Sequence, residues 1–133
     1  MEKRRVLIAE GQAIISMDIE STVQAMGHQV VGSTNNINDL FEKAERLKPN
    51  LIVLDVWLQG DVNGIETADI IRNHFNIPVV LLITDLEQSK LNQLKQTNLR
   101  YVVKPIKESE LRTVINKTLF VGKAEVDFTK KIA

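Results

Sequence analysis

The chain has 133 residues, enough for one domain around one core. Its 17 basic side chains balance 17 acidic ones, so the basic surplus on which nucleic-acid binding usually rests is absent, and with no cysteine neither disulfides nor thiolate metal sites can form. The first apolar run, Val6 to Ala9, is too short for a signal peptide or a membrane span, which makes a cytoplasmic location, away from membranes, the default expectation.

Val6-Leu7-Ile8-Ala9 reads as a first strand buried on both faces, because it does not alternate with polar residues. Ile15, Ile19, Val23 and Met26 then fall on one helical face, and Gly27 is a stop signal. Gln29 to Gly32 is a weaker strand. Ile37, Leu40, Phe41, Ala44 and Leu47 form a second helical stripe, ended by Pro49. Leu51-Ile52-Val53-Leu54 is a second doubly buried strand. Asn63 followed by Glu66 predicts an N-cap with a carboxylate in the first turn, opening a helix that carries Ile65, Ala68, Ile71 and Phe75. Val79 to Ile83 is the third strong strand, Leu91 and Leu94 mark a shorter helix, and Tyr101 to Val103 is a weak strand. Leu111, Val114, Ile115 and Leu119 mark a fifth helix. Residues 1–121 are thus expected to form one domain, with 122–133 a helix extension, a tail or the start of a linker. His28 and His74 are expected at the surface, and Lys3-Arg4-Arg5 as a solvated lead into the first strand.

Five alternating β-α units predict an α/β fold: a doubly wound, five-stranded parallel sheet with five helices, in the flavodoxin-like order 2-1-3-4-5. In such sheets sites form at the carboxyl ends of the strands. Glu10 follows the first strand, Asp55 the third, Thr84 and Asp85 the fourth, and Lys104 the fifth. Carboxylates, a hydroxyl and a lysine therefore gather on one edge. A carboxylate can attack a phosphoryl group, whose oxygens then need positive charge from a lysine or a metal ion. Mg²⁺ suits one or two carboxylates.

The segments VLIAEGQAIISMDIESTVQAMGHQVVG, NLIVLDVWLQGDVNGIETADIIR and YVVKPI resemble the receiver domains of two-component response regulators, the CheY-like family, over about residues 4 to 121. The resemblance implies that Asp55 is the phosphoacceptor, with Lys104 contacting the phosphoryl group or pairing with Asp55. It implies that Tyr101 stands at the rotating aromatic switch and that Lys104-Pro105 matches a bond commonly cis. Mg²⁺ would be held by Glu10, Asp55 and the Trp57 backbone carbonyl. The implied donor is a histidine kinase or a phosphotransfer protein. The implied output surface is the fourth helix, fifth strand and fifth helix, Leu91 to Gln96, Tyr101 to Val103 and Leu111 to Leu119, which could also form a homodimer. No enzymatic activity beyond self-phosphorylation and no direct nucleic-acid binding are implied.

The chain departs from that family at two points. Where receivers carry a second acid after the first strand, here stands Gly11, which lowers the expected Mg²⁺ affinity. Where the fourth strand usually ends in a hydroxyl residue and then a small one, an ungapped count places Ile83 at the hydroxyl position and Thr84 at the small one. A one-residue shift would instead give Thr84 the phosphoryl contact. Asp61 or Asp85 could replace the missing metal ligand. These departures leave a second reading: a degenerate receiver acting as a phosphorylation-independent interaction module. Several residues also keep two readings from sequence. Glu10 is either a solvated strand-end acid or metal-linked, Tyr101 a half-buried strand aromatic or a switch, and Trp57 a loop aromatic in a contact surface or a neighbour of the metal site. A dehalogenase-type phosphatase would need an acid where Trp57 stands, and Glu10-Gly11-Gln12-Ala13-Ile14 is not a flavin phosphate loop. Nucleotide-binding fingerprints are absent.

Overall fold

The computed structural model describes residues 3–58, 63–84 and 88–121. In chain order it contains β1 (Arg5–Ala9), α1 (Ala13–Ala25), β2 (Gln29–Thr34), α2 (Ile37–Leu47), β3 (Leu51–Asp55), α3 (Gly64–Ile70), β4 (Val79–Thr84), α4 (Gln88–Lys95), β5 (Arg100–Lys104) and α5 (Glu108–Asn116). The strands pair in parallel in the order β2-β1-β3-β4-β5, as expected. Residues 122–133, read from sequence as an extension, tail or linker start, lie outside the described residues, as do Asp61 and Asp85. No helix among the described residues is long and apolar enough to cross a membrane.

The uninterrupted apolar runs arise because the sheet is covered on both sides. Val6, Ile8, Leu51, Val53, Val80 and Leu82 face α1 and α5, packing on Ile19, Val23, Leu111 and Ile115. Leu7, Ile52, Leu54, Leu81 and Ile83 face the other way, onto Leu40, Ala44, Ile65, Ala68, Leu91 and Leu94 of α2, α3 and α4. Leu91, Leu94, Leu111 and Ile115, which sequence placed within the output surface, are therefore core anchors, and the same helices show solvent mainly polar side chains.

The helix ends follow their local chemistry. Asn63 Oδ1 accepts the N–H groups of Ile65 and Glu66 at 3.1 and 3.4 Å, so it caps α3 as predicted. Asn36 caps α2 in the same way, accepting the Asp39 N–H at 2.9 Å. Gly27, after α1, has φ of +88°, a conformation open to glycine at little cost. Both α3 and α5 run on as π-helical turns, Ile71–Phe75 and Lys117–Val121. The first lets Phe75 stack on Phe41, with ring centroids 6.1 Å apart.

His28 corrects the surface reading. It is only 3% exposed, because the start of β2 runs beneath the end of α5. Its Nδ1 accepts the Arg4 backbone N–H at 3.1 Å, and its ring lies 6.5 Å from Phe120. Arg4, expected in solvent, lays its guanidinium 5.4 Å from the centroid of the same Phe120 ring. His74 is exposed, as expected.

Burial, and then the charge of Arg4, hold the His28 imidazole below the usual histidine range. A depressed folded pKa means that the unfolded chain takes up the proton first, so stability falls as pH drops below that range. Replacing His28→Gln, which keeps an acceptor, should flatten the slope; urea melts at stepped pH would show it, and an unchanged slope would exclude His28 as its source. A separate constraint lies at Gly64, where an added Cβ would sit 2.6 Å from the Val56 Cα and 2.7 Å from its carbonyl oxygen. Backbone cannot yield as a side-chain tip can. Gly64→Ala should cost about 1–3 kcal/mol in urea denaturation.

Candidate functional site

Three strands deliver three charged side chains to one point. Asp55 is the last residue of β3 and Lys104 the last of β5. Glu10 follows β1, and its N–H donates to the Thr34 carbonyl at 3.0 Å, so the ladder to β2 carries it in register. Strand alternation continues Val6-Ile8 to Glu10, Leu51-Val53 to Asp55 and Val102 to Lys104, all toward the α1/α5 face. Lys104 Nζ lies 2.7 Å from Glu10 Oε1 and 3.4 Å from Asp55 Oδ2. The Glu10 side chain is wholly buried. The solvated reading of Glu10 is thus overturned, and the ion pair expected between Lys104 and Asp55 is shared, with Glu10 the closer partner.

Each carboxylate also accepts a backbone donor. Asp55 Oδ1 takes the Trp57 N–H at 3.1 Å, and Glu10 Oε2 the Gln12 N–H at 3.3 Å. Burial, followed by the neighbouring Asp55 carboxyl, pushes the Glu10 carboxyl above its usual range; Lys104 opposes this less strongly. For Lys104 burial opposes the charge, but hydrogen bonding to Glu10 and the charges of both carboxylates together hold its pKa above the usual lysine value.

The remaining sequence candidates divide between the two faces. Thr84 is half-buried and pairs in register with Lys104, on the Asp55 side of the sheet. Tyr101, also half-buried, packs against the opposite core, where Ile83 is 1% exposed. Thr84 therefore shares a face with Asp55 and not with Tyr101, and Ile83 occupies Tyr101's side. The Lys104-Pro105 bond is cis. Trp57 is 55% exposed, and Lys90 Nζ of α4 stands 4.5 Å from its ring centroid. Sequence reasoning missed Lys90, because a lysine in a short surface helix carries no signal until its neighbour is known.

Among the described residues, no cluster of three or more His, Asp or Glu side chains could hold a metal ion. Glu10, Asp55 and backbone carbonyl oxygens are donors of the kind that a hard cation keeping several waters would take. Gly11 is exposed, and a Cβ added there would meet nothing within 4 Å.

The response regulator receiver domain family matches residues 6–116. The chain belongs to this family. It is 32% identical over 109 residues to the transcriptional regulatory protein PdtaR of Mycobacterium tuberculosis, covering 81% of this chain and 53% of that protein. Against the phyllosphere-induced regulator PhyR of Methylorubrum extorquens it is 28% identical, covering 86% of this chain and 43% of the relative. The chain thus spans about half the length of the curated relatives it matches. Among solved structures, the receiver domain of Erythrobacter litoralis PhyR superposes with a TM-score of 0.78 at 32% identity, covering 90% of this chain and 92% of that one.

In this receiver domain, removing the Lys104 ammonium leaves two buried carboxylates side by side. Lys104→Met should push Glu10 higher still, which a carbon-detected carboxyl titration would reveal. A raised acid binds its proton more readily in the folded state, so the variant should lose stability as pH rises through the raised window. The loss at neutral pH is expected to be on the order of 3 kcal/mol, shrinking in acid as Glu10 protonates.

Proposed function

We propose that Asp55 accepts a phosphoryl group from the phosphohistidine of a histidine kinase or phosphotransfer protein, and that the acyl phosphate alters a partner surface. The observation that carries this reading is the convergence of Glu10, Asp55 and Lys104. A carboxylate oxygen of Asp55 attacks phosphorus, the P–N bond breaks, and its electron pair leaves with the imidazole. Lys104 meets the charge gathering on the phosphoryl oxygens as a flexible point charge. Its Nζ already sits within 3.4 Å of an Asp55 oxygen, so little movement is needed.

Glu10, Asp55 and the Trp57 backbone carbonyl are the groups that would hold Mg²⁺. The ion, when bound, supplies further charge to neutralise the phosphoryl oxygens. Glu10, 2.7 Å from Lys104, would share its charge with the ion, leaving more of the lysine to the phosphoryl group. Thr84, in register beside Lys104, is the hydroxyl available on that face. The output surface is α4, β5 and α5, through whose exposed polar positions a partner or a second copy would dock. The chemistry needs no turnover of another substrate.

A second reading is favoured by Ile83 and Gly11: the domain binds partners without phosphorylation, since the coupling hydroxyl on Tyr101's face and one acid are missing. Intact-mass measurement after incubation with acetyl phosphate and Mg²⁺ separates the two. The first reading expects one phosphoryl adduct, lost in Asp55→Asn; no adduct on the wild type, under conditions that label another receiver, would leave the second. Room at Gly11 gives a gain-of-function test. Gly11→Asp should tighten Mg²⁺ binding about tenfold by adding a carboxylate, read from the fluorescence of Trp57, the single tryptophan.

A further inference from the structure

Trp57 and Lys90 touch across two elements that no strand ladder joins. Trp57 stands two residues beyond Asp55, and its N–H donates to Asp55 Oδ1 at 3.1 Å. Lys90 lies on α4 immediately before Leu91, which with Leu94 anchors that helix in the core. Lys90 Nζ covers the Trp57 ring at 4.5 Å from its centroid. Contacts therefore run without a break from the Asp55 carboxylate, through the Trp57 backbone and ring, to α4. Thr84 offers no such route to Tyr101, because the two residues lie on opposite faces of the sheet.

Resting on the reading of Asp55 as phosphoryl acceptor, we propose that the Trp57–Lys90 contact couples phosphorylation of Asp55 to the position of α4. An acyl phosphate changes what Trp57 is bound to. If phosphorus joins Oδ2, the oxygen facing Lys104, then Oδ1 becomes the carbonyl oxygen of a mixed anhydride. It loses its share of the negative charge and accepts the Trp57 N–H more weakly. If phosphorus joins Oδ1, that N–H must turn from Oδ1 to a phosphoryl oxygen. Either product changes the acceptor that aims the indole at Lys90. The phosphoryl group also brings a charge of about −1.5 to −2, which competes with the ring for the lysine ammonium. Helix α4 has only eight residues and two buried leucines, so a small bias moves its balance. A partly exposed cation–π contact is worth about a two- to five-fold change in an equilibrium, enough to bias two positions of α4 and too little to lock one.

The test uses the full chain, isotopically labelled, with acetyl phosphate and Mg²⁺. Intact mass gives the fraction phosphorylated, amide shifts over Gln88–Lys95 report α4, and Trp57 emission reports the contact. The variants are Lys90→Met, which keeps the stem without the charge, Lys90→Arg, which restores a cation, and Lys95→Met as a second lysine of the same helix. At equal adduct, the α4 response should fall about two- to five-fold in Lys90→Met and be kept in Lys90→Arg and Lys95→Met. Emission of the unphosphorylated protein should change in Lys90→Met alone. A full α4 response in Lys90→Met at wild-type adduct would overturn the coupling while leaving the phosphoacceptor reading intact. An equal loss in Lys95→Met would overturn it too, because any α4 charge would then serve. Absence of adduct on the wild type would remove the phosphoacceptor reading, and the coupling with it.

Discussion

Lys104 carries one positive charge between two carboxylates that belong to different strands. This shared ammonium is what permits Glu10 and Asp55 to be buried next to each other. Two adjacent carboxylates removed from water repel, and each has lost hydration. The ammonium offsets part of both costs, and the Gln12 and Trp57 N–H groups offset more. The cluster still carries one net negative charge when all three groups are ionised. It therefore sits short of neutral, an arrangement that attracts a cation or a group able to redistribute the charge. A site built this way is held by the same sheet geometry that makes it reactive. If β5 slipped one residue against β4, Lys104 would turn to the other face and leave the acids unpaired.

The strands were readable from the sequence because burial on both faces removes the polar alternation. Leu51 to Leu54 could hardly be anything but a central strand once Pro49 and a Gly-containing loop bounded it. Local chemistry also set the edges that mattered: Asn63 caps α3 and Gly27 ends α1. Sequence also brought Glu10, Asp55 and Lys104 to one edge, since that needs only strand order. It did not reveal which pairs meet. That Lys104 lies closer to Glu10 than to Asp55 depends on the packing of three strands, and no local pattern encodes it. His28 was misread for a similar reason. A histidine after a helix stop looks like a loop residue, until α5 is found to end above it. The π-helical turns that extend α3 and α5 are likewise set by packing, with no residue type announcing them.

One residue of register also divides acceptance from transmission in this domain. Glu10, Asp55, Thr84 and Lys104 all follow the α1/α5 side of the sheet. Ile83 and Tyr101 follow the side of α2, α3 and α4. A hydroxyl at position 83 would look toward Tyr101. Isoleucine there fills the core with apolar volume and donates no hydrogen bond. Moving the hydroxyl one step along, to Thr84, does not compensate, because a strand sends successive side chains to opposite faces. On the proposed reading, the acceptor and its lysine thus stand without a hydroxyl beneath Tyr101.

A domain with that gap can respond to phosphorylation only through contacts that leave the site by another way. The backbone of the segment after β3 is the natural exit, since Trp57 is bonded directly to the Asp55 carboxylate. That segment is also held firmly from the other side. Gly64, at the start of α3, lies so close to Val56 that no side chain fits between them. One end of the exit is thus fixed by backbone packing against α3, while Trp57 itself is half in solvent. A change in the bond at Asp55 then moves the part that is free to move, the exposed indole, rather than the buried strand. A fixed Val56 and an exposed Trp57 turn a change of one hydrogen-bond acceptor into a reorientation of a large aromatic ring, and the group resting on that ring belongs to α4.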